Sequence, residues 1–329
     1  ASDVYKRQTI EYQEGRKMKY CFGVDIGGTT VKMGLLTESG EIVEKWEITT
    51  DTSNEGKAIL PDVASSISRK MEERQLSKDE IIGIGAGVPA PVTSEGVVNG
   101  SANLGWNYKE VKRELEELTG MKAEIGNDAN VAALGEMWKG GGAGEKNMIM
   151  VTLGTGVGGG VIIDGKLLVG PTRAGGEIGH LCVNYEETDK CGCGNKGCLE
   201  QYASATGIVR LAKKKLGQDL RPTALKKEDV TAKDVFDAVK AGDEVAKEIA
   251  VEFGTYLGHA LANLAAVTDP AVFVIGGGVS KAGEVLIPYI QQPYLERAFF
   301  ANRKVRFTLA TLGNDAGICG AAKLMIDKA

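Results

Sequence analysis

Residues 24–42, VDIGGTTVKMGLLTESGEI, and residues 151–168, VTLGTGVGGGVIIDGKLL, run the same course of strand, glycine-rich turn, strand, polar turn with glycine, and strand. The copies begin 127 residues apart, so the chain reads as a weak internal repeat, with two related domains facing a cleft. In DIGGTT and LGTGVGGG the glycines remove side chains, so backbone N–H groups can approach phosphate oxygens, and the hydroxyls of Thr29, Thr30 and Thr155 add donors. One such turn is commonly a plain hairpin. Two at equivalent places favour a nucleotide's phosphates, held by Gly27, Gly28, Thr29 and Thr30 and by Gly154, Thr155 and Gly156. The first turn lacks the GK[ST] ending of a P-loop and neither runs into a helix, so the P-loop and dinucleotide-fold readings fail.

Outward from these copies, strand and helix patterns alternate. EIVEKWEIT is a strand after a turn at Glu38–Gly40, and Lys57–Gln75 is a helix with apolar residues at Ile59, Val63, Ile67 and Met71. IIGIGAGVP is a buried strand, Tyr108–Leu118 a helix, Lys122–Gly126 a short strand and Ala129–Trp138 an amphipathic helix. The strand MIMVTLG follows a glycine run, helices at Ala203–Leu216, Thr231–Ala241 and Glu244–Val267 precede the strand AVFVIGG, and a last strand and helix close the chain. This is an α/β pattern with parallel and antiparallel strands mixed. Residues 1–17 read as a disordered or non-native leader without the apolar core of a signal peptide, and Met18 as the natural start. The expected domains are 18–127 plus 312–329, and a larger 128–311.

Composition narrows the partners. The chain has 329 residues, 43% of them hydrophobic and 25% charged, enough for about two domains with full cores. A net charge of −5 disfavours nucleic acid and anionic membrane surfaces, which need a basic field. The most apolar long segment, Leu257–Val274, is interrupted by His259, Asn263, Asp269 and Pro270, so no transmembrane helix is expected. Of six cysteines, four fall between Cys182 and Cys198, which is metal-site clustering and fits a reducing cytoplasm.

GGEIGH (175–180) and CGCGNKGCLE (191–200) supply His180, Cys191, Cys193 and Cys198, the imidazole and thiolates that a closed tetrahedral zinc prefers. Glu177 and Glu200 lie just outside this knot, so ordering the metal would order two carboxylates that need a polar partner, such as a polyhydroxylated substrate. A purely structural zinc knuckle is the simpler alternative.

DIGGTT, GVPAPV, NLGW, NDANVAALGE, LGTGVGGG, GGEIGH, CGCGNKGCLE, IGGGVS and NDAGICGAA occur in the order seen in the ROK family of sugar kinases, which the chain resembles from Met18 to the C-terminal helix. It looks most like the glucokinases of Gram-positive bacteria. The resemblance implies duplicated actin-like, hexokinase-like (ribonuclease H-like) ATPase domains flanking a cleft with a zinc-binding insertion, ATP as phosphoryl donor, Mg²⁺, a structural Zn²⁺ and a homodimer. It implies Asp128 as the general base for the 6-hydroxyl of glucose, and Asn103, Asn127, Asp128, Glu177, His180 and Glu200 around the sugar. Asp25 would hold Mg²⁺ through water, while Lys32 could reach a phosphate or be merely solvated. Gly276, Gly277 and Gly278 of IGGGVS, a turn expected between a strand and a helix, would lie against the adenosine, with Asp315–Gly320 completing that wall.

Each of these residues has a plainer reading. Asp128 before a helix could be an N-cap, although Asn127 and Asn130 offer more polar groups than one cap requires. Cys182 could compete as a metal ligand, but the family pattern excludes it. Among functions, a ROK-type repressor would carry an N-terminal helix-turn-helix, and an actin-like assembly protein has no need of Asp128 with Glu177 and Glu200. Kinases of N-acetylglucosamine, N-acetylmannosamine or fructose share the motifs.

Overall fold

The computed structural model describes residues 18–329; the expected leader, residues 1–17, lies outside the described residues. The chain divides into a first unit, up to Lys139 with the return segment Asn314–Ala329, and a second, Gly140–Gly313.

The first sheet is built on β1 (Tyr20–Ile26), which pairs antiparallel with β2 (Thr30–Thr37), itself antiparallel to β3 (Ile42–Thr49). β3 is an edge strand, and it alternates: Trp46 and Ile48 turn inward to the core while Lys45 and Glu47 face out. Helix α1 (Ile59–Arg74) buries Ile59, Val63 and Ile67, the stripe expected from its period. β4 (Ile81–Val88) is central and almost wholly buried. A two-stranded ribbon, β5 (Val97–Val98) with β6 (Lys109–Glu110), then leads into α2 (Val111–Thr119). β7 (Ala123–Asn127) adds parallel to β4, so the order is β3-β2-β1-β4-β7, and α3 (Asp128–Lys139) follows it directly.

The second sheet repeats this topology. β8 (Met148–Leu153), β9 (Val157–Ile163) and β10 (Lys166–Leu167) form the antiparallel set, and β11 (Val272–Gly276) and β12 (Arg306–Leu309) add in parallel, in the order β10-β9-β8-β11-β12. Between β10 and β11 come α4 (Glu200–Ala203), α5 (Ala205–Leu216), α6 (Ala232–Lys240) and α7 (Glu244–Thr268). The single helix expected from Ala203 is broken at Ser204, whose ψ of 169° leaves the helix and whose hydroxyl caps α5 by accepting the Gly207 N–H. Helix α8 (Leu286–Arg297) lies outside the expected set; it holds Pro288 in its first turn, where proline is tolerated, and a buried Pro293 further on. Among the described residues no helix is long and apolar enough to cross a membrane.

The boundary expected at 127/128 falls instead at Lys139/Gly140, and the return at Gly313/Asn314. The cause is α9 (Ala316–Ile326), which packs on β1 and β4 and also holds α3. Backbone lies on backbone there. A Cβ at Gly85 would collide with the Ala321 carbonyl, and one at Gly320 with the Val131 carbonyl of α3. Gly320→Ala should therefore destabilise the first unit by about 1 to 3 kcal/mol, read from chemical denaturation, because neither helix backbone can yield.

Candidate functional site

The β1–β2 turn is closed by the Gly27 N–H, which donates to the Thr30 carbonyl at 3.1 Å. Thr50 pins it from outside, through its N–H to the Thr29 carbonyl at 2.9 Å and its hydroxyl to the Gly27 carbonyl at 2.7 Å. The amides of Gly28 and Thr29 have no acceptor among the described residues, as an anion-binding turn requires. A Cβ on Gly28 would sit 2.9 Å from the Asn103 carbonyl, so exposed Asn103, on the 3₁₀ turn Ala102–Leu104, adjoins the β1–β2 turn.

Asp25 lies near the end of β1, across from Lys32 on β2 and against the start of α9, where a Cβ on Gly317 would be 2.6 Å from its Oδ2. Burial raises its carboxyl above the ordinary range, and the Lys32 charge pulls it partly back. Lys32 is thus Asp25's cross-strand companion. No group among the described residues donates a hydrogen bond to this half-buried carboxylate, and that environment suits a hydrated cation.

Asp128 opens α3 immediately after β7. The helix N-terminus is capped by its neighbour: Asn127 Oδ1 accepts from the N–H of Ala129 at 3.1 Å and of Asn130 at 3.2 Å, while its Nδ2 donates to the Ala90 carbonyl at 3.3 Å. Asn127, expected on the sugar, is committed at both ends of its amide. Asp128 Oδ1 accepts the Ala129 N–H at 2.8 Å, a contact that capping does not need, and the side chain is half-buried. Asn130 is buried with its Oδ1 unpartnered among the described residues.

In the second unit the β8–β9 turn mirrors the first. The Gly154 N–H donates to the Gly156 carbonyl at 3.0 Å, and the Thr155 and Gly156 amides have no acceptor among the described residues. Gly277, at φ 84°, lies against the backbone of Leu153, its added Cβ 2.6 Å from the Leu153 nitrogen. The segment after IGGG is a 3₁₀ turn, Val279–Ala282, and α8 begins only at Leu286, so the expected helix N-terminus for phosphate does not form there. Gly278 instead borders a cavity of about 340 Å³ walled by Ala205, Ala232, Phe236, Val279 and Ala282, with Thr231, Lys233, Asp237 and Lys281 adding polar edges. Asp315–Gly320 belong to the first unit: Lys45 holds Asp315 at 2.8 Å, and the rest pack on β1 and α3.

His180, Cys191, Cys193 and Cys198 come together, their ligand atoms all within 4.8 Å of one another. Cys193 and Cys198 sulfurs are 3.6 Å apart, and His180 Nδ1 is 3.9 Å from Cys191 Sγ. Tetrahedral zinc with bonds of about 2.3 Å to sulfur sets sulfurs about 3.8 Å apart, so the donor set fits the ion. Burial raises the Cys191 and Cys198 thiols, while the Asn195 amide lowers that of Cys193; a divalent ion would favour the thiolate at all three. Cys182 is exposed and outside the group, and Glu177, three residues before His180, is exposed.

A family profile described as the ROK family matches residues 21–328. The chain belongs to the ROK family. Its fold is accordingly the hexokinase-like, actin-like ATPase fold of α/β type. It is 44% identical to a glucokinase of Halalkalibacterium halodurans over 93% of this chain and 95% of that one. Among solved structures it is similar to a ROK family glucokinase from Streptomyces griseus in complex with glucose and AMPPNP, at 32% identity and TM-score 0.72, covering 93% and 98% of the two chains. A ROK hexokinase from Thermus thermophilus matches at 30% identity and TM-score 0.80, covering 94% and 100%.

Two supports of this ROK site were not read from sequence. Trp106, buried, donates its indole N–H to the Gly56 carbonyl at 3.2 Å and so braces the turn carrying Asn103. The cysteine loop is clamped by Glu187, which accepts from the Tyr202 hydroxyl and from Arg210 at 2.6 Å. Burial opposes ionisation of Glu187, but the Tyr202 hydroxyl, the Asp189 amide and Arg210 outweigh it and hold the carboxyl at about 2. A carboxyl lowered on folding adds stability above its unfolded value and loses it as pH falls through the folded one. The melting-temperature advantage of wild type over Glu187→Gln should therefore shrink steadily from about pH 5 to about pH 2.

Proposed function

We propose that the chain is an ATP-dependent glucokinase, forming glucose 6-phosphate and ADP. The observation that carries this is its likeness to the Halalkalibacterium halodurans glucokinase over nearly the whole of both chains. In the proposed reaction Asp128 takes the proton of the sugar 6-hydroxyl as that oxygen bonds to the γ-phosphorus and the bond from the γ-phosphorus to the β-bridging oxygen breaks, ADP leaving. A half-buried carboxylate that its helix does not need as a cap supports that role.

Asn103, Asp128, Glu177, His180 and Glu200 bind the sugar hydroxyls, with Asn127 acting beneath Asp128 as its support. Each carboxylate oxygen of Glu200 has a second lone pair, so its protein partners leave it able to accept from a sugar. His180 turns Nδ1 to the cluster, which suits Nε2 for the substrate. The amides of Gly28, Thr29, Thr155 and Gly156 bind phosphates, and the cavity beside Gly278 takes the adenosine. Zinc at His180, Cys191, Cys193 and Cys198 would order the loop between Glu177 and Glu200. Magnesium near Asp25 would neutralise charge on the phosphates.

The grouping of four of the six cysteines between Cys182 and Cys198, as a metal site groups them, supports a cytoplasmic setting, and the family resemblance a homodimer. A steady-state panel of glucose, mannose, fructose, N-acetylglucosamine and N-acetylmannosamine with ATP tests the reading. Glucose should give the highest kcat/KM; a larger value for an N-acetylated sugar would reassign the substrate.

A further inference from the structure

Glu200 touches two structures at once. Its Oε2 accepts the Val157 N–H at 3.0 Å, and its Oε1 takes the Cys191 thiol at 3.6 Å. Gly156 lies so close that an added Cβ would collide with Oε2. The rest of the turn is fastened to the same helix junction: the Ala205 N–H donates to the Gly154 carbonyl at 2.8 Å, and the Thr206 hydroxyl to the Thr155 carbonyl at 2.7 Å. Ser204, which caps α5, donates its hydroxyl to the Glu200 carbonyl at 2.7 Å. The turn's Gly154 and Val157 amides are thereby consumed inside the protein, while those of Thr155 and Gly156 have no acceptor among the described residues.

We infer that Glu200 is a positioning residue for the phosphate-binding turn: its carboxylate sets the conformation that offers the Thr155 and Gly156 amides to an anion. Position 156 is glycine because a carboxylate occupies the space a Cβ would need. Val157 is buried, so its N–H has no water to turn to if the acceptor is removed, and the turn must rearrange to find one. The inference rests on the kinase reading for its nucleotide, and adds that Glu200 acts on nucleotide affinity with no sugar present.

The test is calorimetric titration of AMPPNP with magnesium, without sugar, into wild type, Glu200→Gln, Glu200→Asp and Glu200→Ala, with zinc content measured in each. Gln keeps an acceptor for the Val157 N–H and should bind within about twofold of wild type. Asp is one methylene short of that amide; it and Ala should each lose about tenfold in affinity. Equal affinity for Ala and wild type would overturn the inference. So would a loss in Gln as large as in Asp, since charge and not the acceptor would then matter. Should Ala fail to fold, the Gln and Asp pair decides alone. Glucose titrations of the same proteins keep the readings apart: unchanged glucose affinity with the nucleotide contrast intact would remove Glu200 from the sugar site only. Wild type that binds no AMPPNP would overturn the kinase reading itself.

Discussion

Asp128→Asn should lower kcat by about 10² to 10⁴-fold and leave the fold intact, because a positioned base contributes rate of that order. The separation of these effects follows from the geometry at the start of α3. Asn127 caps the helix with its own Oδ1, and an asparagine at 128 keeps an oxygen able to accept the Ala129 N–H that Asp128 Oδ1 holds at 2.8 Å. Melting temperature should move little, and glucose and AMPPNP affinities should stay within a few-fold. Asn127→Ala is the contrasting variant: it removes the cap and should cost about 0.5 to 2 kcal/mol of stability. A coupled assay of ADP release together with thermal melts measures both. Near-normal turnover in folded Asp128→Asn would remove Asp128 from the base role.

Cys198→Ser should open the four-ligand cluster and abolish tight zinc binding. The side chain is buried, and its sulfur packs 3.6 Å from Cys193, so a hydroxyl there can neither replace the thiolate nor reach water. Since metal binding at such a site is folding free energy for the loop it closes, melting temperature should fall by on the order of 10 °C. Glucose affinity should fall by about 10- to 100-fold, because the loop holding Glu177 and Glu200 loses its anchor. Chelator-stripped wild type should behave in the same way, and zinc should restore it but not the variant. Metal analysis, melts and glucose titration read these outcomes. Metal-free protein with full glucose affinity would reduce the cluster to a local staple.

Much of the fold was legible in the residues. The repeat centred on DIGGTT and LGTGVGGG corresponds to two sheets with the same strand order, because alternation and turn glycines are written locally. The gathering of His180 with Cys191, Cys193 and Cys198 was legible too, since three cysteines within eight residues have little freedom to diverge. The domain boundary was misread because nothing near residue 127 announces that α9, almost two hundred residues later, will hold α3 in the first unit. Helix α8 is hard to read locally because it carries two prolines, Pro288 harmless in its first turn and Pro293 buried within it. The sequence offers Asp128 as the cap of α3, whereas Asn127 takes that place, its Nδ2 also donating to the Ala90 carbonyl.

The sequence by itself determined the duplicated α/β plan, the paired glycine turns, the convergence of His180 with three cysteines and the family, since each depends on spacing over a few residues or on motif order. Only the tertiary structure decided that Glu200 accepts the Val157 N–H of the β8–β9 turn, that Asn127 caps α3, and that the last helix holds α3 in the first unit. Those contacts join segments far apart in the chain, and which donors and acceptors pair across such distances is settled by packing, after the local elements have formed.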